Sequence, residues 1–193
     1  MSLLGELTFF LGLQVHQTTD GIFLSQEKYL KQILKKYGME ECKSVSTPMI
    51  TRCNLSSHDD SPMVNQPEYR SMIGSLLYLT GTRPDIMHAV GIVGRFQANP
   101  KESHLQVVKR IFKYLQGTQD LGLWYPKNAD LTLHAYTDGG WAGSVDDRKS
   151  TSGGAFYMGP RLVSWFSKKQ NSIALSTAEV EYVASASCCT QLL

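Results

Sequence analysis

The chain has 193 residues, enough for one domain of ordinary size or two small ones. Its 42% hydrophobic and 19% charged residues are typical of a globular protein and not of a disordered one. The formal net charge of +2 does not indicate nucleic-acid binding by itself, and no apolar run approaches the ~18 residues of a membrane span. A binding function must therefore be sought in particular sites, and no membrane partner is predicted.

The N-terminal residues do not resemble a secretory signal peptide. No basic residue precedes the apolar stretch, and Glu6 and Thr8 interrupt it, so we expect an intracellular protein. None of the cysteines has the spacing of zinc ligands, and the adjacent pair in a helical pattern is expected to pack as small apolar side chains. The four cysteines are Cys42, Cys53, Cys188 and Cys189.

The first fifty residues predict two strands followed by a helix. A β-prone run covers residues 9–15, Gly21 is predicted as a turn, and residues 22–24 form a second run. Ser25 is placed to cap the helix, and Gly38 to end it. The apolar face of this helix recurs at helical spacing and consists of Tyr29, Leu30, Ile33, Leu34 and Tyr37.

Residues 43–67 contain three prolines and many small polar residues, which predict a long loop and a candidate domain boundary. Three helices are expected after it, and Ser103 is predicted as the cap of the third. We expect these helices to form a unit separate from the β-β-α start. Their apolar faces fall within residues 69–77, 86–96 and 105–115.

From residue 131 the pattern changes to strands. Leu131, Leu133 and Ala135 alternate with polar or aromatic neighbours, as in a strand. Two further strands are predicted within residues 154–158 and 162–166, and a helix from residue 176 to 186. The segment therefore predicts a β-β-β-α unit.

Asp138 is the first candidate for chemistry. It ends a predicted strand and is followed by Gly139 and Gly140, which leave room for a ligand or for another stretch of backbone. A turn aspartate is the commoner meaning of Asp-Gly, and this interpretation stays open on the residues alone.

Two glutamates open the last predicted helix. Glu179 and Glu181 are two residues apart and cannot face the same way. Ser176 and Glu179 have the spacing of a capping box, which is a structural role. Glu181 has no such role. If it faces Asp138, the two carboxylates form half of an oxygen-ligand site for Mg²⁺, as two-metal hydrolysis of a phosphodiester requires.

Several motifs occur in an order that resembles the Pol polyprotein of copia-type retrotransposons. Tyr136-Thr137-Asp138-Gly139, three strands and a helix bearing Glu181 are similar to the opening half of ribonuclease H. Upstream, Phe10-Leu11-Gly12 resembles the family's primer-grip strand. The copia-type branch is indicated by the runs at 138–143, 146–153, 164–170 and 176–182, and its helical thumb and connection region by those at 69–79 and 82–86.

The resemblance implies that the parent protein copies RNA into DNA and degrades the RNA of the hybrid. Asp138 and Glu181 are then catalytic metal ligands in a two-metal Mg²⁺ site. The family's polymerase motif is Tyr-x-Asp-Asp, whereas Asp59-Asp60 and Asp146-Asp147 lie here in polar turns, and the chain supplies two of the four ribonuclease H carboxylates. Because these carboxylates are missing, we expect this chain to be inactive alone, and both an enzyme and a non-enzyme stay open. Gly140 stands where the family usually has a second Asp, but that Asp is not the one assigned to metal, so its loss is not decisive.

The candidate nucleic-acid contacts follow from the resemblance and from charge. A solvated helix face is the competing interpretation for Lys109 and Lys113, and an exposed strand end for the lysine pair at 168 and 169. Trp141, like the other large aromatic residues of this half, is more commonly a packing residue than a base-stacking one. The candidates are Phe10, Leu11, Gly12, Lys109, Lys113, Lys168 and Lys169.

Together these features predict an α+β or α/β chain in three parts. Residues 1–50 resemble the end of a reverse transcriptase, residues 51–130 a helical thumb or connection region, and residues 131–193 an incomplete ribonuclease H-like unit with an open sheet edge. The implied partners are an RNA–DNA hybrid or template-primer and the remainder of Pol, in the cytoplasm, a virus-like particle or the nucleus. The alternative is a non-catalytic nucleic-acid-binding or interaction protein, including an effector-like one, derived from a retroelement.

Overall fold

The computed structural model describes residues 7–51 and 53–192. Within them the fold is α+β, with two antiparallel sheets and five α-helices, which confirms the predicted mixed class. None of the described helices is both long and apolar enough to cross a bilayer. The strands are β1 (Phe9–Phe10), β2 (Leu13–Gln17), β3 (Gly21–Ser25), β4 (Leu123–Pro126), β5 (Leu133–Gly140), β6 (Thr151–Met158) and β7 (Arg161–Lys169).

The first sheet has the order β1-β2-β3-β4. Residues 9–15, predicted as one strand, are two strands, because Leu11 and Gly12 both take positive φ angles, of 50° and 81°. Two such residues are what a two-residue hairpin turn requires. Gly21, predicted as a turn, lies inside β3, and the turn is made by the three residues before it.

Strand β4 completes this sheet from far along the chain. It pairs antiparallel with β3, so that Leu24 lies opposite Leu123. No strand is predicted here, because four residues are too few to show a convincing alternation of polar and apolar side chains. Part of the stretch predicted as helical, residues 51–130, therefore belongs to the sheet of the N-terminal part.

Four helices form the main core. They are α1 (Glu27–Lys36), α2 (Gln66–Leu79), α3 (Met87–Val93) and α4 (Glu102–Gln116), and short 3₁₀ turns flank α3. Leu30, Ile33 and Leu34 of α1 are buried in the same cluster as the apolar faces of α2, α3 and α4. The predicted separation of the helical unit from the β-β-α start is therefore wrong at α1, whose apolar stripe needs this cover.

The predicted stops of α1 and α4 are right, whereas the predicted N-terminus of each of these two helices is wrong. Gly38, with φ +64°, ends α1, and Gly117 caps α4. The N-cap of α1 is Gln26, not Ser25, and α4 begins one residue before Ser103. Tertiary contacts override the local preference of serine in both places.

A buried guanidinium joins the corner between α2 and α3 to the end of α4. Arg83 is 2% exposed. Its Nε and Nη2 donate to the two oxygens of Asp85 at 3.0 and 2.7 Å, and its Nη1 donates to the Thr118 carbonyl at 2.7 Å. Burial alone raises the pKa of Asp85, yet the contacts with Arg83 and the Tyr114 hydroxyl lower it below its ordinary value.

The second sheet, of order β5-β6-β7, is followed by α5 (Thr177–Leu192). This confirms three antiparallel strands and a helix packed on the sheet, although the helix runs to Leu192, beyond its predicted end at residue 186. Strand β7 lies beside β4, where the Tyr125 hydroxyl donates to the Leu162 carbonyl at 2.9 Å and Arg161 donates to the Pro126 carbonyl at 2.9 Å. Side chains thus join the two sheets.

A buried histidine holds the loop before α2 onto α4. His104 is fully buried and stacks on Phe96. Its Nδ1 accepts from the Lys101 amide at 3.1 Å, and its Nε2 lies 3.0 Å from the Ser56 carbonyl. These partners assign the neutral imidazole with the proton on Nε2. Burial lowers the pKa of His104, because a charged ring has lost its water there.

We expect the free energy of unfolding to decrease as pH falls through the range in which His104 becomes protonated. The contribution is complete above about pH 6.5, the pKa of an unfolded histidine, and is lost as pH falls toward the lower pKa of folded His104, with a slope of at most about 1.4 kcal/mol per pH unit. In urea titrations the His104→Gln variant, which keeps an acceptor for the Lys101 amide, should lose this part of the slope. His16→Gln on exposed β2 is the control, and equal slopes in both variants would contradict the assignment.

Candidate functional site

The candidate site lies where the end of β5 meets the first turn of α5. Strand β5 is an edge of its sheet, so one side of its backbone has no neighbouring strand among the described residues. Helix α5 crosses closely there: a Cβ added at Gly139 would lie 2.5 Å from a methyl group of Val180. Gly139, predicted to leave room for another stretch of backbone, therefore leaves room for helix α5.

Two carboxylates converge on one backbone amide at this edge. The Gly139 N–H points to an oxygen of Asp138 at 2.9 Å and to an oxygen of Glu181 at 3.3 Å. Both carboxylates are exposed. The expected meeting of Asp138 and Glu181 is thus present as geometry, while their role as metal ligands stays a prediction.

Glu179 has the other role predicted for it. Its backbone N–H donates to the Ser176 hydroxyl at 3.2 Å, and its carboxylate accepts from the Leu175 amide at 2.7 Å. These two contacts cap the start of α5. Glu179 therefore points toward the helix start and away from Asp138, as the 200° rotation between residues two apart requires.

The surroundings of Asp138 include a histidine that the sequence did not single out. Asp138, His88 and Ser167 line a cleft of about 540 Å³ between α3 and the sheet. The His88 Nδ1 lies 3.1 Å from the Ser167 hydroxyl. Burial and nearby Arg95 lower the pKa of His88, and Asp138 opposes them. No sequence motif could predict this contact, because 79 residues separate His88 from Ser167.

The aspartate pair after β5 is structural. Asp146 accepts from Ser56 and Ser57, and these hydrogen bonds lower its pKa to about 2. Asp147 forms an ion pair with Lys169 at 2.6 Å, and this contact lowers its pKa to about 2. Both carboxylates are thus committed to holding a turn, as their polar context indicated.

The seven candidate nucleic-acid contacts lie on three different surfaces. Leu11 lines an apolar groove with Trp165, Lys109 and Lys113 line a depression beside α4, and Lys168 and Lys169 line a third beside α5. Phe10, Leu11 and Gly12 form the exposed β1–β2 turn. Lys169 is partly neutralised by its ion pair, so Lys168 is the more available of the two.

Other donor groups do not gather into a metal centre. Across residues 7–51 and 53–192, no group of three or more histidine, cysteine, aspartate or glutamate side chains is placed to hold an ion. Cys188 is buried in α5, which confirms the packing role predicted for it, whereas Cys189 is exposed and the same prediction is wrong there, because adjacent helix residues point in different directions. A cation at this edge would therefore rely on Asp138 and Glu181 together with water or substrate oxygens.

The close approach of α5 gives a test of the site's architecture. Gly139→Ala should destabilise the chain by about 1–3 kcal/mol, because the new methyl overlaps Val180. Gly140→Ala is the matched control: its Cβ would meet only the Thr151 carbonyl at 3.7 Å, and we expect a change within about 0.5 kcal/mol. Denaturant unfolding measures both, and equal values would show that α5 does not pack this closely.

The chain is similar in sequence to several known proteins. Residues 1–51 match the family described as reverse transcriptase (RNA-dependent DNA polymerase). The Retrovirus-related Pol polyprotein from transposon RE1 of Arabidopsis thaliana is 42% identical over 92% of this chain, which spans only 12% of that polyprotein. No solved structure matches the chain.

Two shorter relatives are covered over most of their length. An uncharacterized mitochondrial protein of Arabidopsis thaliana is 40% identical over 94% of this chain and 75% of its own length. The secreted RxLR effector protein 161 of Plasmopara viticola is 45% identical over 63% of this chain and 86% of its own length. Together with the reverse transcriptase match, these similarities show that the chain belongs to the family of copia-type retrotransposon Pol polyproteins.

Proposed function

We propose that the chain carries the passage of Pol from reverse transcriptase into a ribonuclease H-like unit. Its parts are residues 1–50, 51–130 and 131–193, as the motifs divide them. The match of residues 1–51 to the reverse transcriptase family supports the first boundary, and the β-β-β-α order after residue 131 supports the last part. The parent activity is RNA-directed DNA synthesis and Mg²⁺-dependent cleavage of RNA in RNA–DNA hybrids.

The observation that carries this proposal is the convergence of Asp138 and Glu181 at the Gly139 amide. Carboxylate oxygens are the ligands that Mg²⁺ prefers, and it is often bound through one or two carboxylates together with water and substrate phosphate. The oxygen donors of these two exposed side chains are therefore of the type that suits one Mg²⁺ ion. When bound, the ion would supply Lewis-acid activation of a phosphodiester and of water.

The residues of the chain itself would orient the substrate. Asp138 and Glu181 lie at an exposed edge, so a hybrid can approach them from solvent. Lys168, on β7, is an exposed cation in the same sheet and suits a phosphate contact. The remainder of Pol is the second proposed partner, and the proposed location is intracellular: the cytoplasm, a virus-like particle or the nucleus.

Ion binding tests the two carboxylates directly. We expect one weakly held Mn²⁺, an oxygen-preferring stand-in for Mg²⁺, in a titration followed by electron paramagnetic resonance. Asp138→Asn and Glu181→Gln should each weaken binding by about tenfold or more. Glu179→Gln is the matched control on the same helix turn, since glutamine also serves in a capping box. If Glu179→Gln alone loses Mn²⁺ binding, the assignment of Glu181 as the second ligand is wrong.

Hybrid cleavage tests the inactivity of the chain alone. Two-metal hydrolysis needs ions about 4 Å apart, and two carboxylates are too few to hold both well. We therefore expect no polymerase activity and little or no Mg²⁺-dependent cleavage of a labelled RNA–DNA hybrid. If cleavage occurs and Asp138→Asn abolishes it, the inactivity is wrong and the site stands. If Asp138→Asn leaves the cleavage unchanged, the site itself is wrong.

A second candidate is a non-catalytic interaction protein. Its support is that this chain aligns with 86% of a relative named as a secreted effector. The two candidates differ in hybrid binding, measured by the fluorescence anisotropy of a labelled hybrid at increasing salt. Salt-sensitive binding together with Mn²⁺ binding favours the Pol role, whereas the absence of both favours the interaction protein.

A further inference from the structure

A second cleft, lined by both polar and apolar side chains, lies beside the carboxylate edge. It measures about 760 Å³ and lies between the loop before α2, helix α3 and the turn between β5 and β6. That volume is in the range of sites that hold small organic ligands. We call it the Trp141 cleft, and the residues used below are Ile50, Asn54, His88, Trp141, Val145 and Arg148.

The walls of the Trp141 cleft are held together. Asp146, in the turn, accepts from the Ser56 hydroxyl at 2.6 Å and from the Ser57 amide and hydroxyl at 2.9 and 2.6 Å. These three hydrogen bonds join the loop to the turn across about 90 residues of sequence. The cleft is therefore a formed site whose opposite walls are fixed relative to each other.

One wall presents an aromatic ring whose edge is already anchored. Trp141 is 50% exposed, and its Nε1–H donates to the Ala174 carbonyl at 3.2 Å. This bond fixes the indole, so a stacking partner would find a rigid platform with little further loss of side-chain entropy. Ile50 and Val145, both about half exposed, extend the apolar surface beside it.

The same cleft carries polar groups suited to a nucleotide. Arg148 is exposed, and its φ of +56° places it at a sharp bend of the turn. A guanidinium forms paired hydrogen bonds with phosphate oxygens. Asn54 has both a donor and an acceptor for a base edge. Proteins that bind single-stranded nucleic acids combine an aromatic face for base stacking with a nearby cation for the phosphate.

The position of the Trp141 cleft relates it to the carboxylate edge. His88 and Gly140 line both this cleft and the one that Asp138 lines, so the two are continuous. A strand that leaves Asp138 along the end of β5 would enter the Trp141 cleft next. This continuity favours a nucleic-acid strand over an unrelated small molecule.

We propose that the Trp141 cleft binds an unpaired nucleotide of a nucleic-acid strand, with its base stacked on Trp141 and its phosphate paired with Arg148. The identity of the strand, as a single-stranded end of a hybrid held at the carboxylates, rests on the proposed function. The stacking and the phosphate contact rest on the cleft alone.

Tryptophan fluorescence of the full chain tests the cleft. The probe is a single-stranded RNA of about four nucleotides, without divalent cations, since stacking bases quench an indole. We expect quenching in the unchanged chain and in Trp124→Phe, whose indole is 44% exposed on β4 in the other sheet. Trp141→Phe should remove the quenching. Equal quenching in Trp141→Phe and the unchanged chain would overturn the proposal.

Two exposed positions keep the test independent of any effect of Trp141 on folding. Arg148→Gln and Val145→Glu should each weaken RNA binding by about tenfold, the first by loss of a phosphate contact and the second by repulsion. Lys35→Gln, on the exposed side of α1, is the charge-matched control and should change affinity little. Equal weakening in Lys35→Gln and Arg148→Gln would show non-specific attraction and overturn the proposal.

The outcomes separate this proposal from the proposed function. RNA quenching without Mn²⁺ binding at Asp138 and Glu181 would support the cleft and remove the metal site. Mn²⁺ binding without RNA quenching would overturn the cleft and leave the metal site standing.

Discussion

The contact on which the rest of the structure depends is the buried cation of Arg83. Its guanidinium bonds Asp85 just before α3 and Thr118 just after α4, so it fixes the corner from which three elements depart. The chain leaves Thr118 toward β4, and the carbonyl of Thr80 at the same corner accepts from the Trp165 indole of β7 at 3.0 Å. A desolvated charge is tolerated only when it is paired and hydrogen-bonded, and Asp85 and Thr118 together accept from four of the five guanidinium N–H groups.

The geometry of the candidate site depends on the corner that Arg83 holds. Because α3 is placed by the Arg83 corner, His88 reaches over the second sheet to Ser167 and forms one wall of the cleft beside Asp138. On the other side, Gly139 allows α5 to approach until Glu181 meets the same amide as Asp138. Two elements from distant parts of the sequence therefore frame one exposed pair of carboxylates.

Local regularity explains what could be predicted from the sequence. The apolar faces of α1 and α4 and the opposite directions of Glu179 and Glu181 follow from the helix repeat alone. The stops at Gly38 and Gly117 follow from the preference for glycine at the C-terminal end of a helix. Strand β4 was missed because it is short and its partner lies far away in sequence. The caps at Ser25 and Ser103 were wrong because long-range contacts of Gln26 and His104 decide where those helices begin.

The pairing of β3 with β4 also sets an order of events during folding. Residues such as Leu24 and Leu123 are about a hundred positions apart, so closing that loop carries a large entropy cost until the intervening helices have formed. On a ribosome, the β2–β3 hairpin would emerge early and wait with one edge unpaired while α2 to α4 are made. Strands β2 and β3 thus complete their sheet only after residues 123–126 have been made.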